Sequence, residues 1–165
     1  QWIASAMSQQ LEMNAASLCF DYHLAEPQGR WNVTAAQQHD IARLQRLGKA
    51  LHLQIVAITP DACALQTLVP QLDSQDAMLA WRDTRQWLWA SREGWGHCAF
   101  DDAPSLMQLG AQLGVNPQRL VCCTAQPAEY KGFDPWSVVV QKYPPLPARG
   151  DDFAVALALA MGTAS

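Results

Sequence analysis

MLAWRDTRQWLWASREGWGHC, residues 78–98, alternates apolar and polar side chains, turns over, and alternates again. Leu79 and Trp81 share one parity, and after the polar run Arg82-Asp83-Thr84-Arg85-Gln86 the residues Trp87 and Trp89 share another. A period of two in an aromatic-rich stretch predicts paired β-strands, with the polar run as the hairpin tip. Glu93-Gly94 then allows a third short strand over residues 96–100. Asp101-Asp102-Ala103-Pro104 opens a predicted helix that runs to Leu113 and stops at Gly114, and residues 120–124 read as a buried strand. Three strands in succession, then helix and strand in alternation, predict an α/β fold whose sheet starts antiparallel and continues by crossover.

Upstream of the hairpin, Trp2, Ile3, Ala6, Met7 and Leu11 fall at helical spacing, and Asn14 breaks the pattern. Leu18, Phe20 and Tyr22 alternate as a strand, Glu26-Pro27-Gln28-Gly29 is a strong turn, and residues 31–35 resume as the second strand of a hairpin. A helix follows over residues 36–51, with Ile41, Leu44, Leu47, Ala50 and Leu51 as its apolar stripe. Residues 54–58 form a short apolar strand. Thr59 as N-cap and Pro60 at the first helical position then start a helix that buries Ala62, Leu65, Leu68 and Val69 and stops at Pro70. Near the other end, residues 126–131 read as loop, residues 137–141 fit either a helical turn or a strand, and residues 143–147 make a stiff, proline-rich connector. Residues 151–161 are apolar on every side, which predicts a buried helix with Asp151 and Asp152 at its N-terminus.

With 165 residues, half of them hydrophobic, the chain is long enough to bury a core as one domain or two small lobes. A net charge of −4 and scattered rather than clustered Lys and Arg argue against a nucleic-acid footprint. Five cysteines, odd in number and without zinc spacing, suit a reducing, cytosolic setting. No run of apolar residues is long enough to span a bilayer and there is no signal peptide. Opening on Gln1 inside a helical pattern is expected of a piece of a longer protein.

Chemistry-bearing residues are few. His97 and Cys98 are adjacent on a predicted strand and therefore point to opposite faces, so they make no nucleophile–base pair. His23, His39 and His52 lie on separate elements without a second ligand, so no metal site is expected. Asp101-Asp102 and Asp151-Asp152 both fall at helix starts, where capping accounts for them. Seven tryptophans without a basic groove read as packing on the hairpin sheet rather than as base-stacking platforms.

Several segments, in order, carry a family resemblance. Residues 151–162, DDFAVALALAMG, resemble the terminal helix of the PilM-type type IV pilus assembly proteins, and Phe133-Asp134-Pro135-Trp136-Ser137-Val138 looks like the segment preceding it. Asn32-Val33-Thr34-Ala35-Ala36-Gln37, Ile58-Thr59-Pro60-Asp61-Ala62 and Ala80-Trp81-Arg82-Asp83 look closer still to a short enterobacterial member of that family. The resemblance implies an actin-like, ribonuclease H-like fold related to the cell-division protein FtsA, with the N-terminal part missing. Residues 1–57 would be the small inserted FtsA-type subdomain, 58–76 a connecting helix, and 77–165 the second actin-like subdomain with its outer part reduced.

Actin-like ATPases carry a phosphate loop at this hairpin, built from an Asp, a Gly and a Ser/Thr, because backbone N–H groups approach phosphate closely and the Asp organises a metal. Asp83 and Thr84 remain here, but the tip has no glycine. A glycine run that borders the adenosine in the family is replaced by Cys122-Cys123-Thr124-Ala125-Gln126. The resemblance with a degenerate nucleotide loop implies an adaptor, not an enzyme, with no cofactor and no metal. It would sit in the cytoplasm, peripheral to the inner membrane, and hold the N-terminal tail of a PilN/HofN-type inner-membrane protein in a pilus-like or DNA-uptake assembly. Tyr22, Asn32, Thr34 and Gln37 are the residues expected to meet that tail. The alternatives are a divergent ATPase of the same fold that binds Mg-ATP at Asp83 and Thr84, and an unrelated small α/β interaction domain.

Overall fold

The computed structural model describes residues 2–25, 30–124, 131–143 and 145–162, and of His23, Ala25 and Arg30 the backbone alone. The turn expected at residues 26–29, the loop at 126–130 and part of the proline-rich connector lie outside the described residues. The chain divides into two compact units, Gln1–Ile58 and Thr59–Ser165.

In the first unit, α1 (Trp2–Leu11) is followed by a single 3-10 turn whose N-cap, Asn14, accepts from the backbone N–H of Ala16. Strands β1 (Leu18–Ala25) and β2 (Arg30–Gln37) pair antiparallel, with Leu18 opposite Gln37 and Tyr22 opposite Val33. Helix α2 (Gln38–Ala50) ends in a Schellman motif: the N–H of Leu53 donates to the carbonyl of Gly48, and that of His52 to Lys49. Its apolar stripe is not buried as expected, for Leu44, Leu47 and Leu51 are all exposed. The strand expected at 54–58 is also absent. Residues 53–60 carry no regular structure, since a strand needs a ladder partner and the sheet of this unit holds two strands only. Ile55 folds back onto Gly48, where a Cβ would come within 2.7 Å of its Cδ1.

The second unit is a five-stranded sheet in the order β5-β4-β3-β6-β7. Its strands are β3 (Met78–Arg82), β4 (Gln86–Ala90), β5 (Trp95–Ala99), β6 (Leu120–Cys123) and β7 (Gly132–Phe133). β3, β4 and β5 form an antiparallel meander, and β6 and β7 join parallel to β3. The predicted change from antiparallel to crossover pairing is therefore what the sheet does; β7, two residues long, had no periodicity to betray it.

Alternation sends the two parities into two cores. Leu79, Leu88, Ala90, Val121 and Phe133 pack on one face against α3 (Asp61–Leu65), the 3-10 turns after it, and α5 (Ala154–Gly162). Met78, Ala80, Trp87, Cys98 and Leu120 pack on the other face against α4 (Leu106–Leu113). Helices on both faces and a mixed sheet between them make a three-layer α/β unit.

Two expectations about helix ends are corrected, and one open reading is settled. Pro60 rather than Thr59 is the N-cap of α3, and Asp61 accepts from the N–H of Ala62. Asp101 and Asp102 do not cap α4. Asp101 and Asp102 lie in a turn in which the N–H groups of Asp102 and Ala103 donate to the carbonyl of Ala99; Pro104 disfavours helical backbone at Ala103, and the helix starts after Ser105, whose hydroxyl accepts from the N–H of Gln108. Residues 135–138 settle as a 3-10 turn capped by Asp134. The last helix is corrected as well. Ala154 and Ala158 are its buried residues, while Phe153 before it and Leu159 and Met161 on it stay more than a third exposed, so it is buried along a narrow alanine stripe only, beside α3 and the 3-10 turn that follows α3. No helix among the described residues is long and apolar enough to cross a membrane.

Candidate functional site

Two parallel strands, β3 and β6, end side by side, and an open cleft of about 600 Å³ lies beyond their carboxyl ends. That is where open α/β sheets place their ligands, because the strand ends and the loops after them leave a crevice there. The β3–β4 turn contributes Asp83 and Thr84, the end of β6 contributes Cys122 and Thr124, and the start of the last helix contributes Asp151 and Asp152. Trp81 joins the two sides, its indole N–H donating to the carbonyl of Asp151 at 2.7 Å.

Asp83 is committed to the turn. Its Oδ1 accepts from the backbone N–H of Arg85 at 2.6 Å and of Gln86 at 2.8 Å, and its own N–H donates to the carbonyl of Gln86. Those bonds, the one from Arg85 foremost, hold its carboxyl below the usual carboxylate range. Such an Asx turn does with a carboxylate what a glycine loop does with backbone, and it leaves the turn's N–H groups turned onto the protein's own oxygen. Arg82 also lines the cleft, its guanidinium 3.9 Å over the ring of Phe100 and 5.7 Å from the centroid of Trp87.

Across the cleft, Arg149 donates to Asp151 at 2.9 Å and approaches Asp152 at 3.2 Å. Asp134 and Trp136 back this segment: a Cβ at Gly150 would clash with Asp134 Oδ1 and fall 2.7 Å from Trp136 Cδ1, so only glycine fits. Burial pushes the thiols of Cys122 and Cys123 up, with Asp151 adding to both. They stay protonated and poor as nucleophiles.

Of the residues expected at the nucleotide loop, Asp83 and Thr84 therefore do meet in one cleft. His97 is exposed and Cys98 buried on opposite faces of β5, as adjacent strand residues should be. Among the described residues no group of three or more His, Cys, Asp or Glu is placed to hold a metal ion. The indoles of Trp87, Trp81 and Trp136 donate to the carbonyls of Ala103, Asp151 and Pro147, so these tryptophans are packed and satisfied.

The four residues expected at the partner site are split by the pairing register. Tyr22 and Gln37 lie on one face of the β1–β2 hairpin, while Asn32 and Thr34 lie on the other, because Tyr22 faces Val33 and Thr34 faces Asp21. On the Tyr22 face, Trp31 packs edge-on against Tyr22 with ring centroids 5.7 Å apart, and both rings remain about half exposed beside Leu24. Trp31 and Leu24 belong to this surface, and their alternation with Tyr22 was the signal that points to them. Arg149 and its carboxylates carry no local signal that would mark them as a cleft wall.

No family model matches the chain. Over 163 residues, 99% of its length, it is 44% identical to the DNA utilization protein HofM of Escherichia coli (strain K12), a level that makes the two homologous. The chain spans 61% of that relative's length. Among solved structures it is similar to Cyto-EpsL, the cytoplasmic domain of EpsL, an inner membrane component of the type II secretion system of Vibrio cholerae. That likeness has a TM-score of 0.62 at 12% identity and covers 99% of this chain and 63% of the other, so it concerns fold alone. The fold is a mixed α/β fold consistent with a reduced actin-like domain.

Proposed function

We propose that the chain is part of a cytoplasmic, PilM-like adaptor, peripheral to the inner membrane, that holds the N-terminal tail of a PilN/HofN-type inner-membrane protein and works without nucleotide turnover. The homology to HofM and the fold shared with the cytoplasmic domain of a secretion-system component support a role in a pilus-like or DNA-uptake assembly. The observation that carries the nucleotide-independent part is Asp83, whose carboxylate caps its own turn where a phosphate loop would need approachable backbone.

The tail-binding surface is the β1–β2 hairpin. Its Tyr22 face, with Leu24 and Trp31, offers apolar area, and Gln37 at the far end of that face offers an amide. An extended peptide binds such a surface by side chains on alternate positions. Replacing Tyr22 and Trp31 together with Ala is expected to weaken tail binding at least about tenfold, since aromatic anchors dominate interfaces of this kind. Replacing Asn32 and Thr34 tests the opposite face. Loss of binding in the second pair alone would move the site across the hairpin, and loss in neither would remove it from the hairpin.

A second reading stands on one observation, that Asp83 and Thr84 line a cleft at the carboxyl ends of parallel strands. A divergent ATPase would use that place for Mg-ATP.

A further inference from the structure

We propose that α2 and the stretch after it, residues 53–58, form the face on which the rest of a longer protein completes a β-sheet. The occupant is the part of the full-length polypeptide that lies outside these 165 residues, and it supplies a strand that pairs with residues 53–58. The inference does not depend on what the protein holds or assembles.

One missing neighbour explains why sequence and structure disagree here. Leu53, Ile55, Val56, Ala57 and Ile58 put apolar side chains on both parities, the pattern of a strand covered on both faces of its sheet. Yet every residue from 51 to 59 is exposed, Val56 to 82%. Among the described residues no backbone hydrogen bond involves residues 54–58. Five consecutive residues therefore hold ladder groups unused, and such groups are a template for another strand.

Helix α2 adds the second part of the face. Leu44, Leu47 and Leu51 recur at spacings of three and four along one side, and all are exposed. The stretch is held beside this helix, for the N–H of Leu53 donates to the carbonyl of Gly48 at 2.8 Å and Ile55 covers Gly48. Exposed apolar side chains at this density mark an interaction surface. β2, α2 and residues 53–58 also follow one another in the order of a crossover unit, whose second strand enters a parallel sheet. The β1–β2 hairpin is not that sheet, because it holds those two strands only.

Length names the occupant. The chain spans 61% of HofM and 63% of Cyto-EpsL, so a homologue and a fold neighbour each continue for more than a third of their length beyond the shared part. A remainder of that size is long enough for several strands. A second copy of this chain would also cover the face, but it would leave the extra length of both relatives without a place.

The test compares the 165-residue chain with the full-length protein by hydrogen exchange and thermal melting. In the chain, the amides of residues 54–58 are expected to exchange as freely as those of an unfolded peptide. In the full-length protein they should exchange at least about a hundredfold more slowly. Val56→Asp should leave the melting of the chain unchanged, since the side chain already faces water. In the full-length protein it should lower the melting temperature and abolish protection at residues 54–58. Unprotected amides in the full-length protein, or a Val56→Asp that is neutral in both, overturns the proposal. So does protection in the 165-residue chain that rises with its concentration, which would assign the face to a second copy. Should Val56→Asp prevent the full-length protein from folding, Leu47→Gln, a milder change on α2, carries the same comparison.

Discussion

Trp81 on β3 donates its indole N–H to the backbone carbonyl of Asp151 at 2.7 Å, bridging seventy residues of sequence and tying the hairpin to the start of the last helix. The bond fixes one wall of the cleft against the other. Trp81→Phe keeps most of the ring and removes the donor, and is expected to cost about 1–2 kcal/mol, one hydrogen bond and some packing. Urea unfolding checks this: the midpoint should fall with the slope unchanged.

Ser105, not Asp101 or Asp102, begins α4. Ser105→Ala is expected to cost about 1 kcal/mol, the usual loss of an N-cap. Asp101→Asn and Asp102→Asn should leave the melting temperature where it was. A reversal of that order would put the cap back on the carboxylates.

His52 sits at the left-handed position that closes α2, with φ 56°, where glycine is the ordinary occupant. His52→Gly relieves the Cβ strain at the cost of some chain entropy, and a net gain of about 0.5–1 kcal/mol is expected. Amide exchange of the last turn of α2, slower in the variant, would register it even if the rest of the chain melts separately.

Asp83 gives the β3–β4 turn a pH dependence. Its folded carboxyl titrates below its unfolded one, so the contribution is fully present above the unfolded value of about 4 and is lost as pH falls through the folded value. Asp83→Asn keeps an acceptor and removes the titration. The stability difference between the parent and this variant should therefore be constant from pH 7 to about 5 and shrink below about 4. A difference that grows on acidification would contradict the turn assignment.

Much of this fold is legible because local and tertiary preferences agree. The hairpin at Leu79–Trp89 alternates, Gly114 stops α4, and Leu120–Cys123 is apolar without interruption because both faces of the sheet are covered. The misreadings of pairing and burial share one cause. Residues 54–58 look like a strand and Leu44, Leu47 and Leu51 look like a buried stripe, yet whether such residues are covered depends on a neighbour that periodicity does not specify. The last helix is apolar throughout, so its pattern could not say which face is buried; the small size of Ala154 and Ala158 decides it. At the candidate site, Asp83 and Thr84 were visible as the remnant of a motif. Asp151 was visible too, but as a helix cap. Its meeting with Trp81 and Arg149 in one cleft depends on the crossover, and no spacing rule reports it.

The most direct test of a nucleotide-independent adaptor is one calorimeter cell loaded with this chain, titrated first with Mg-ATP and then with the tail peptide of the PilN-type partner. The account predicts no saturable heat from Mg-ATP and a saturable tail isotherm, unchanged when Mg-ATP is already present. Saturable Mg-ATP binding that is lost in Asp83→Ala, with no heat from the tail, would contradict it and restore the ATPase.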